Sequence, residues 1–266
     1  MRHLVVAGQR LEYVDHPAHK AGLPDILMLH EGLGCVAMWR HFPERVAAAT
    51  GCRVIAWSRA GYGHSQPYAE PRTPRYMHRE ALEALPALLA ELRIERPLLF
   101  GHSDGASIAL IFAGAFPEVL AGVIAMAPHE FVEEKTLTGI LAAKSAWTAT
   151  DLPRKLARHH ADAPRVFAEW NETWLAPAFR DWNIEEYLPA IRCPVLAIQG
   201  EDDEYATMRQ IDIIAEQVPD TMLLKLSHCG HSPHHDQPML VLWAADTFVR
   251  RIAGLPAGQP QDRGNA

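Results

Sequence analysis

Gly101-His102-Ser103-Asp104-Gly105 decides how this chain is read. It lies between the apolar run Pro97-Leu98-Leu99-Phe100 and the stretch Ala106-Ser107-Ile108-Ala109-Leu110-Ile111-Phe112-Ala113-Gly114. The run before it reads as a buried strand and the stretch after it as a helix. A serine on the turn between them, framed Gly-x-Ser-x-Gly, is a nucleophile elbow. The turn forces strained backbone angles, so the flanking positions must be nearly free of side chain. The helix starting beside the serine aims its first amides at negative charge forming there. Five residues are a short pattern. The strand before and the helix after give it meaning.

Outward from the elbow, short apolar strands alternate with helices. Residues 4–6 and 10–14 read as a strand pair around Gly8-Gln9. Ile26-Leu27-Met28-Leu29, Val54-Ile55-Ala56-Trp57, Val123-Ile124-Ala125-Met126, Val195-Leu196-Ala197-Ile198 and Met222-Leu223-Leu224-Lys225-Leu226 read as further strands. The later ones are continuous apolar runs, as in a parallel sheet covered on both faces. Helices are expected over residues 39–49, 77–92, 106–116, 208–217 and 238–252, with a kink or break at Pro86. The pattern predicts an α/β fold with a mostly parallel, doubly wound, eight-stranded sheet.

Residues 131–189 break the alternation. They hold no strand candidate and read as short helices over 137–147, 152–160, 165–174 and 184–187. Trp147, Trp170, Trp174 and Trp182, four of the chain's seven tryptophans, lie there. The simplest reading is a helical cap inserted into a core formed by residues 1–130 and 190–266. The Gly- and Pro-rich stretch 254–266 reads as a disordered tail.

The chain has 266 residues, 48% of them hydrophobic, enough for one large core with an insertion. A net charge of −7 without any basic run argues against nucleic acid as a partner. No apolar stretch resembles a signal peptide or a membrane span. Cys35, Cys52, Cys193 and Cys229 are widely spaced, which reads as reduced thiols in a cytoplasmic protein. A monomer or homodimer acting on a small molecule is expected, with no membrane partner.

A serine hydroxyl needs a base, and the base needs a third group to hold its tautomer. Behind an elbow the order is serine, acid, histidine. Gln199-Gly200-Glu201-Asp202-Asp203-Glu204 follows a strand and offers four carboxylates. Ser227-His228-Cys229-Gly230-His231-Ser232-Pro233-His234-His235-Asp236 follows the last strand. Glu130, in Pro128-His129-Glu130, is a further rival for the acid. The histidine-rich loop lacks the two-histidine helix spacing of a zinc site, so neither metal nor cofactor is expected.

With these residues in place the chain resembles the α/β-hydrolase family, of the small cytosolic, helical-capped serine esterase type. The resemblance runs from His30-Glu31-Gly32-Leu33-Gly34 through Arg59-Ala60-Gly61-Tyr62-Gly63-His64-Ser65 and the elbow. It continues to Gly200-Glu201-Asp202-Asp203 and Gly230-His231-Ser232-Pro233-His234. It implies Asp203 as the acid, from the Gly-x-x-Asp pattern, and His231 as the base, from the Gly-His step. It places the oxyanion-hole amides at Asp104 and Gly32, with Leu33 the neighbouring alternative, because Glu31 stands where the family commonly has glycine. Each such donor is worth roughly 3 kcal/mol in the transition state.

The expected reaction is hydrolysis of a small carboxylic ester through an acyl-enzyme on Ser103. The same machinery serves C–C cleavage of an aromatic ring-fission product, lactone or thioester hydrolysis, or ligand binding without turnover. Glu31, Trp39, His129, Trp147, Trp170 and Trp174 are the candidate pocket residues. The cap tryptophans serve either as substrate contacts or as glue between small helices. Asp104 reads first as a cap of the elbow helix and second as a site for a substrate ammonium.

Overall fold

A computed structural model describes residues 1–68, 70 and 72–256. Eight strands form one sheet: β1 (Arg2–Val6), β2 (Gln9–His16), β3 (Ile26–Leu29), β4 (Val54–Trp57), β5 (Leu98–His102), β6 (Gly122–Met126), β7 (Val195–Gly200) and β8 (Thr221–Leu226). Their order is β1-β2-β4-β3-β5-β6-β7-β8. Pairing from β4 to β8 is parallel, and β2 alone runs against the rest, antiparallel to both of its neighbours β1 and β4.

The continuous apolar runs follow from covering both faces. Leu27, Leu29, Ile55, Leu99, Val123 and Val195 join one core cluster, while Ile26, Met28, Val54, Phe100, Ile124 and Leu196 join a second. Successive strand residues point to opposite faces, so every position is apolar. Helices α1 (Phe42–Thr50) and α10 (Pro238–Ile252) pack on the second face. The first is covered by α2 (Tyr76–Arg79), α3 (Leu85–Leu92), α4 (Asp104–Ala115) and α8 (Arg209–Gln217). The expected break at Pro86 is a π-helical turn, Glu80–Ala84, joining α2 to α3. Pro86 has no N–H for the helical ladder, and the widened turn before it absorbs the mismatch.

Between β6 and β7 lie α5 (Glu134–Ala149), α6 (Leu152–Leu156), α7 (Ala163–Leu175) and two 3₁₀ turns, Pro177–Phe179 and Glu185–Ala190. The two ends of this segment meet in a single bridge, Phe131 to Asn183, and the Ile184 amide donates to the Glu130 carbonyl at 2.7 Å. A short helix α9 (Pro233–Asp236) precedes α10. After α10, Gly254 and Leu255 donate to the Arg251 and Arg250 carbonyls and close the helix. The expected disordered tail therefore begins with ordered backbone, and its residues 257–266 lie outside the described residues. No described helix is long and apolar enough to cross a membrane. The four cysteines are free and buried.

The loops after β3, β5, β6, β7 and β8 all leave the carboxyl edge of the sheet. They carry Glu31-Gly32, Ser103, His129, Asp203 and His231. In an open α/β sheet this edge is where ligands bind.

Candidate active site

Ser103 is the single residue between β5 and α4. Its backbone sits at φ 51° and ψ −118°, a costly conformation for a non-glycine residue. Its amide donates to the Met126 carbonyl at 2.9 Å, tying the turn to β6. Both framing glycines are sterically required. A Cβ on Gly101 would overlap the Gly105 carbonyl and the Ala106 amide, and one on Gly105 would overlap the Leu29 carbonyl. Close approach of α4 to β3 and β5 thus holds the serine at the sheet edge.

The hydroxyl faces His231, with Oγ and Nε2 2.9 Å apart. His231 Nδ1 lies 2.9 Å from Asp203 Oδ2 and 3.0 Å from Oδ1. Asp203 is fully buried, and its Oδ1 also accepts from the Tyr205 and Ala206 amides at 2.8 and 3.1 Å. Burial pushes its carboxyl up, but the His231 hydrogen bond and charge outweigh this and hold it below the usual aspartate value. For His231, burial pulls the ring down, while the Asp203 hydrogen bond and charge win and raise it above the ordinary 6.5. An ionised Asp203 accepts the Nδ1 proton and leaves Nε2 free to accept from Ser103.

The rivals are placed elsewhere. Glu204 accepts the His231 amide at 3.1 Å, Asp202 and Glu201 are exposed, and His228 and His235 are exposed. His234 is buried against Trp39 and Phe42. Glu130 is fully enclosed without a hydrogen bond to its carboxyl oxygens, and burial pushes its pKa well up.

The Gly32 and Asp104 amides both adjoin the serine cavity and donate to no other described group. A Cβ on Gly32 would overlap the Trp170 indole, so any side chain here must displace that ring. Glu31 directs its Oε2 to His102 Nδ1 at 3.4 Å, and His102 Nε2 lies 2.7 Å from the His231 carbonyl. Burial pushes the Glu31 carboxyl up, but His102 outweighs it and holds it well below the usual glutamate range. His102 ties the serine loop to the histidine loop, a link the sequence motif does not announce. The reading of Asp104 as a helix cap is corrected. Its Oδ1 has no hydrogen-bond partner among the described residues, and Oδ2 accepts from the Tyr76 hydroxyl at 2.8 Å and pairs with buried Arg59 at 3.4 Å. A neighbouring guanidinium and phenol offer that oxygen more than its own helix amides do.

A cavity of about 220 Å³ opens at Ser103. Glu31, His129, Trp170 and Trp174 line it as expected, and Thr136, Ile140 and Tyr205 line it without having been singled out by sequence. Two expected pocket residues do not. Trp39 is 2% exposed and packs in the core beside Phe42 and His234. Trp147 stacks on Phe167 at 4.1 Å, holding α5 to α7. The tryptophans thus divide the two roles between them: Trp170 and Trp174 line the cavity, while Trp147 is glue. Glu31, Asp104 and Glu204 line the cavity, and none of its described lining residues is a lysine or arginine. Among the described residues no three His, Cys, Asp or Glu side chains gather as metal ligands.

An eight-stranded sheet of this order, with a strained serine between β5 and α4 at its carboxyl edge, defines the hydrolase class of α/β proteins. The chain belongs to the alpha/beta hydrolase family, whose model matches residues 26–245. It is similar to the serine hydrolase BPHL of Homo sapiens, 28% identical over 68% of this chain and 64% of that protein, so the match spans under two thirds of the relative. It is also similar to a putative carbamate hydrolase, RutD, of Pseudomonas savastanoi, 26% identical over 84% of this chain and 94% of that one. Among solved structures, an alpha/beta hydrolase enzyme, MGS-M2, from a deep-sea metagenome superposes with a TM-score of 0.76 at 18% identity, covering 98% of this chain and 100% of that one. The relatives named here are hydrolases by their own descriptions.

Proposed function

We propose that this enzyme hydrolyses a small carboxylic ester through an acyl-enzyme on Ser103. The observation that carries the reading is the continuous contact from Ser103 Oγ to His231 Nε2 and from His231 Nδ1 to Asp203, opening on a cavity of about 220 Å³. His231 takes the hydroxyl proton as Oγ attacks the ester carbonyl. The carbonyl oxygen becomes an oxyanion held by the Gly32 and Asp104 amides, at the positive end of α4. Collapse expels the alcohol, which receives the proton from His231. A water, deprotonated by His231, then attacks the acyl-serine and releases the acid. Asp203 keeps the proton of neutral His231 on Nδ1 and offsets the charge of the imidazolium.

Residues 131–189 act as a helical cap in this reading, since Thr136, Ile140, Trp170 and Trp174 close the cavity over Ser103. Four free cysteines fit a reducing, cytoplasmic setting. The acidic lining ranks the substrates. A ring-fission product carries a carboxylate, which Glu31, Asp104 and Glu204 repel, and Arg59 is already engaged by Asp104. Neutral and cationic esters are therefore favoured over that C–C bond substrate. Turnover of 4-nitrophenyl esters compared with a ring-fission dienoate tests this. The proposal expects a higher kcat/KM on the esters, and turnover of the dienoate alone would overturn it.

A further inference from the structure

Two buried polar side chains on the cavity wall have no role in the acyl-transfer chemistry. His129, after β6, is 3% exposed, and neither ring nitrogen has a hydrogen-bond partner among the described residues. Thr136, on α5, is 1% exposed, and its hydroxyl is likewise unpartnered. Both line the cavity that holds Ser103 and His231. Leaving such groups without a partner costs about 1–3 kcal/mol each, so a helical threonine normally bonds back to its own helix and a buried histidine finds an acceptor.

The structure holds His129 deliberately. Ala127 adopts φ 48°, an unfavourable conformation for alanine, and so turns the chain back over the sheet edge. The His129 backbone is then clamped from both sides by one hydroxyl. Its amide donates to Ser107 Oγ at 3.0 Å, and Ser107 Oγ donates to its carbonyl at 2.7 Å. Ser107 sits one turn beyond Ser103 on α4, so the nucleophile helix itself aims the His129 ring. The ring packs edge-on to Trp174 at 5.2 Å and lies 5.7 Å from the His231 ring. The backbone of Tyr205 lies beside it without closing a hydrogen bond. Burial, and then the adjacent His231, pull the His129 pKa down to about 4. It is therefore neutral in the range where His231 works, with one donor and one acceptor nitrogen.

We propose that His129 and Thr136 form a subsite for a hydroxyl carried by the acyl chain of the substrate, so that the preferred esters are hydroxyacyl esters and not simple alkanoyl ones. A hydroxyl both donates and accepts, which matches a neutral imidazole and a threonine hydroxyl together. A carboxylate offers acceptors only and meets the acidic lining, and an alkyl chain leaves both protein groups unpaired. Sites built to hydrogen-bond a substrate hydroxyl reject the analogue lacking it far more strongly than apolar pockets reject a missing methylene. The inference rests on the ester-hydrolase reading above.

The test compares kcat/KM for 4-nitrophenyl 3-hydroxybutyrate and 4-nitrophenyl butyrate, in the wild type, Thr136→Val and His129→Leu, with fluorophosphonate labelling of Ser103 followed in parallel. The wild type is expected to favour the hydroxy ester by about tenfold or more. That ratio is expected to collapse toward one in each variant and to recover partly in His129→Gln. A wild-type ratio near or below one, with Ser103 labelled, overturns the subsite and leaves the esterase reading standing. A ratio that survives in either variant overturns it too. Absence of both labelling and ester turnover in the wild type overturns the esterase reading and the subsite with it.

Discussion

Asp203→Asn changes one atom and leaves the shape of the site intact, so its effect isolates the electrostatics of the acid. Asp203 Oδ1 accepts two backbone amides, Tyr205 and Ala206, at 2.8 and 3.1 Å. In the variant those donors select the carbonyl oxygen of the new amide. Its NH₂ then occupies the Oδ2 position, 2.9 Å from His231 Nδ1. An amide N–H facing Nδ1 makes that nitrogen an acceptor and moves the ring proton to Nε2. Nε2 then points a proton at Ser103 and cannot take one. Flipping the amide would restore the tautomer but strand two buried N–H donors, at about 1–3 kcal/mol each. The unflipped orientation in turn loses the Gln199 amide that donates to Oδ2 at 3.3 Å, so two lost donors stand against one and the inactive orientation is preferred by about 1 kcal/mol. Loss of the carboxylate charge beside the developing imidazolium adds to this. The expected fall in kcat is on the order of 10⁴, about 5 kcal/mol of transition-state stabilisation. Stopped assays of 4-nitrophenyl acetate hydrolysis by purified variant measure it, with circular dichroism confirming the fold. A loss below tenfold would refute the assignment of Asp203.

The pH profile carries the sign of the His231 shift. The base works only when neutral and its pKa lies above 6.5, so kcat/KM falls as pH drops through a limb positioned above 6.5. In denaturant titrations of the wild type and Asp203→Asn, the His231 contribution to stability is fully present below pH 6.5. It is lost as pH rises through the raised folded value. Gly105→Ala forces a methyl group onto the Leu29 carbonyl. Overpacking of this kind costs about 1–3 kcal/mol, which lowers Tm by roughly 2–12 °C in a calorimetric scan. Gly32→Ala displaces the Trp170 indole and shifts an oxyanion donor, so kcat on a 4-nitrophenyl ester falls about 100-fold in steady-state assays.

The central strands were legible because a sheet covered on both faces leaves almost no polar position within them. Ile26–Leu29 and Val54–Trp57 begin and end where the apolar runs do. The elbow was legible for a steric reason, since only glycine fits beside the Leu29 carbonyl and the Ala106 amide. The Gly-His and Gly-x-x-Asp steps marked two residues that the structure brings into contact 28 positions apart. What the sequence withheld depends on which way a side chain points. Trp39 and Trp170 look alike in a list of tryptophans, yet one fills the core and the other lines the cavity. The partners of Asp104 lie 28 and 45 residues away, so a local cap was the nearest guess and a distant tyrosine and arginine prevailed. His102 and Thr136 carry no motif of their own role, because His102 acts through a distant backbone carbonyl and Thr136 through a cavity that exists only after folding.

Mass mapping of the protein after reaction with a fluorophosphonate shows whether Ser103 is the nucleophile. One phosphonyl adduct is expected, on the peptide carrying Ser103, and none in Ser103→Ala. An adduct that persists in Ser103→Ala, or that maps to another residue, would contradict the assignment of Ser103.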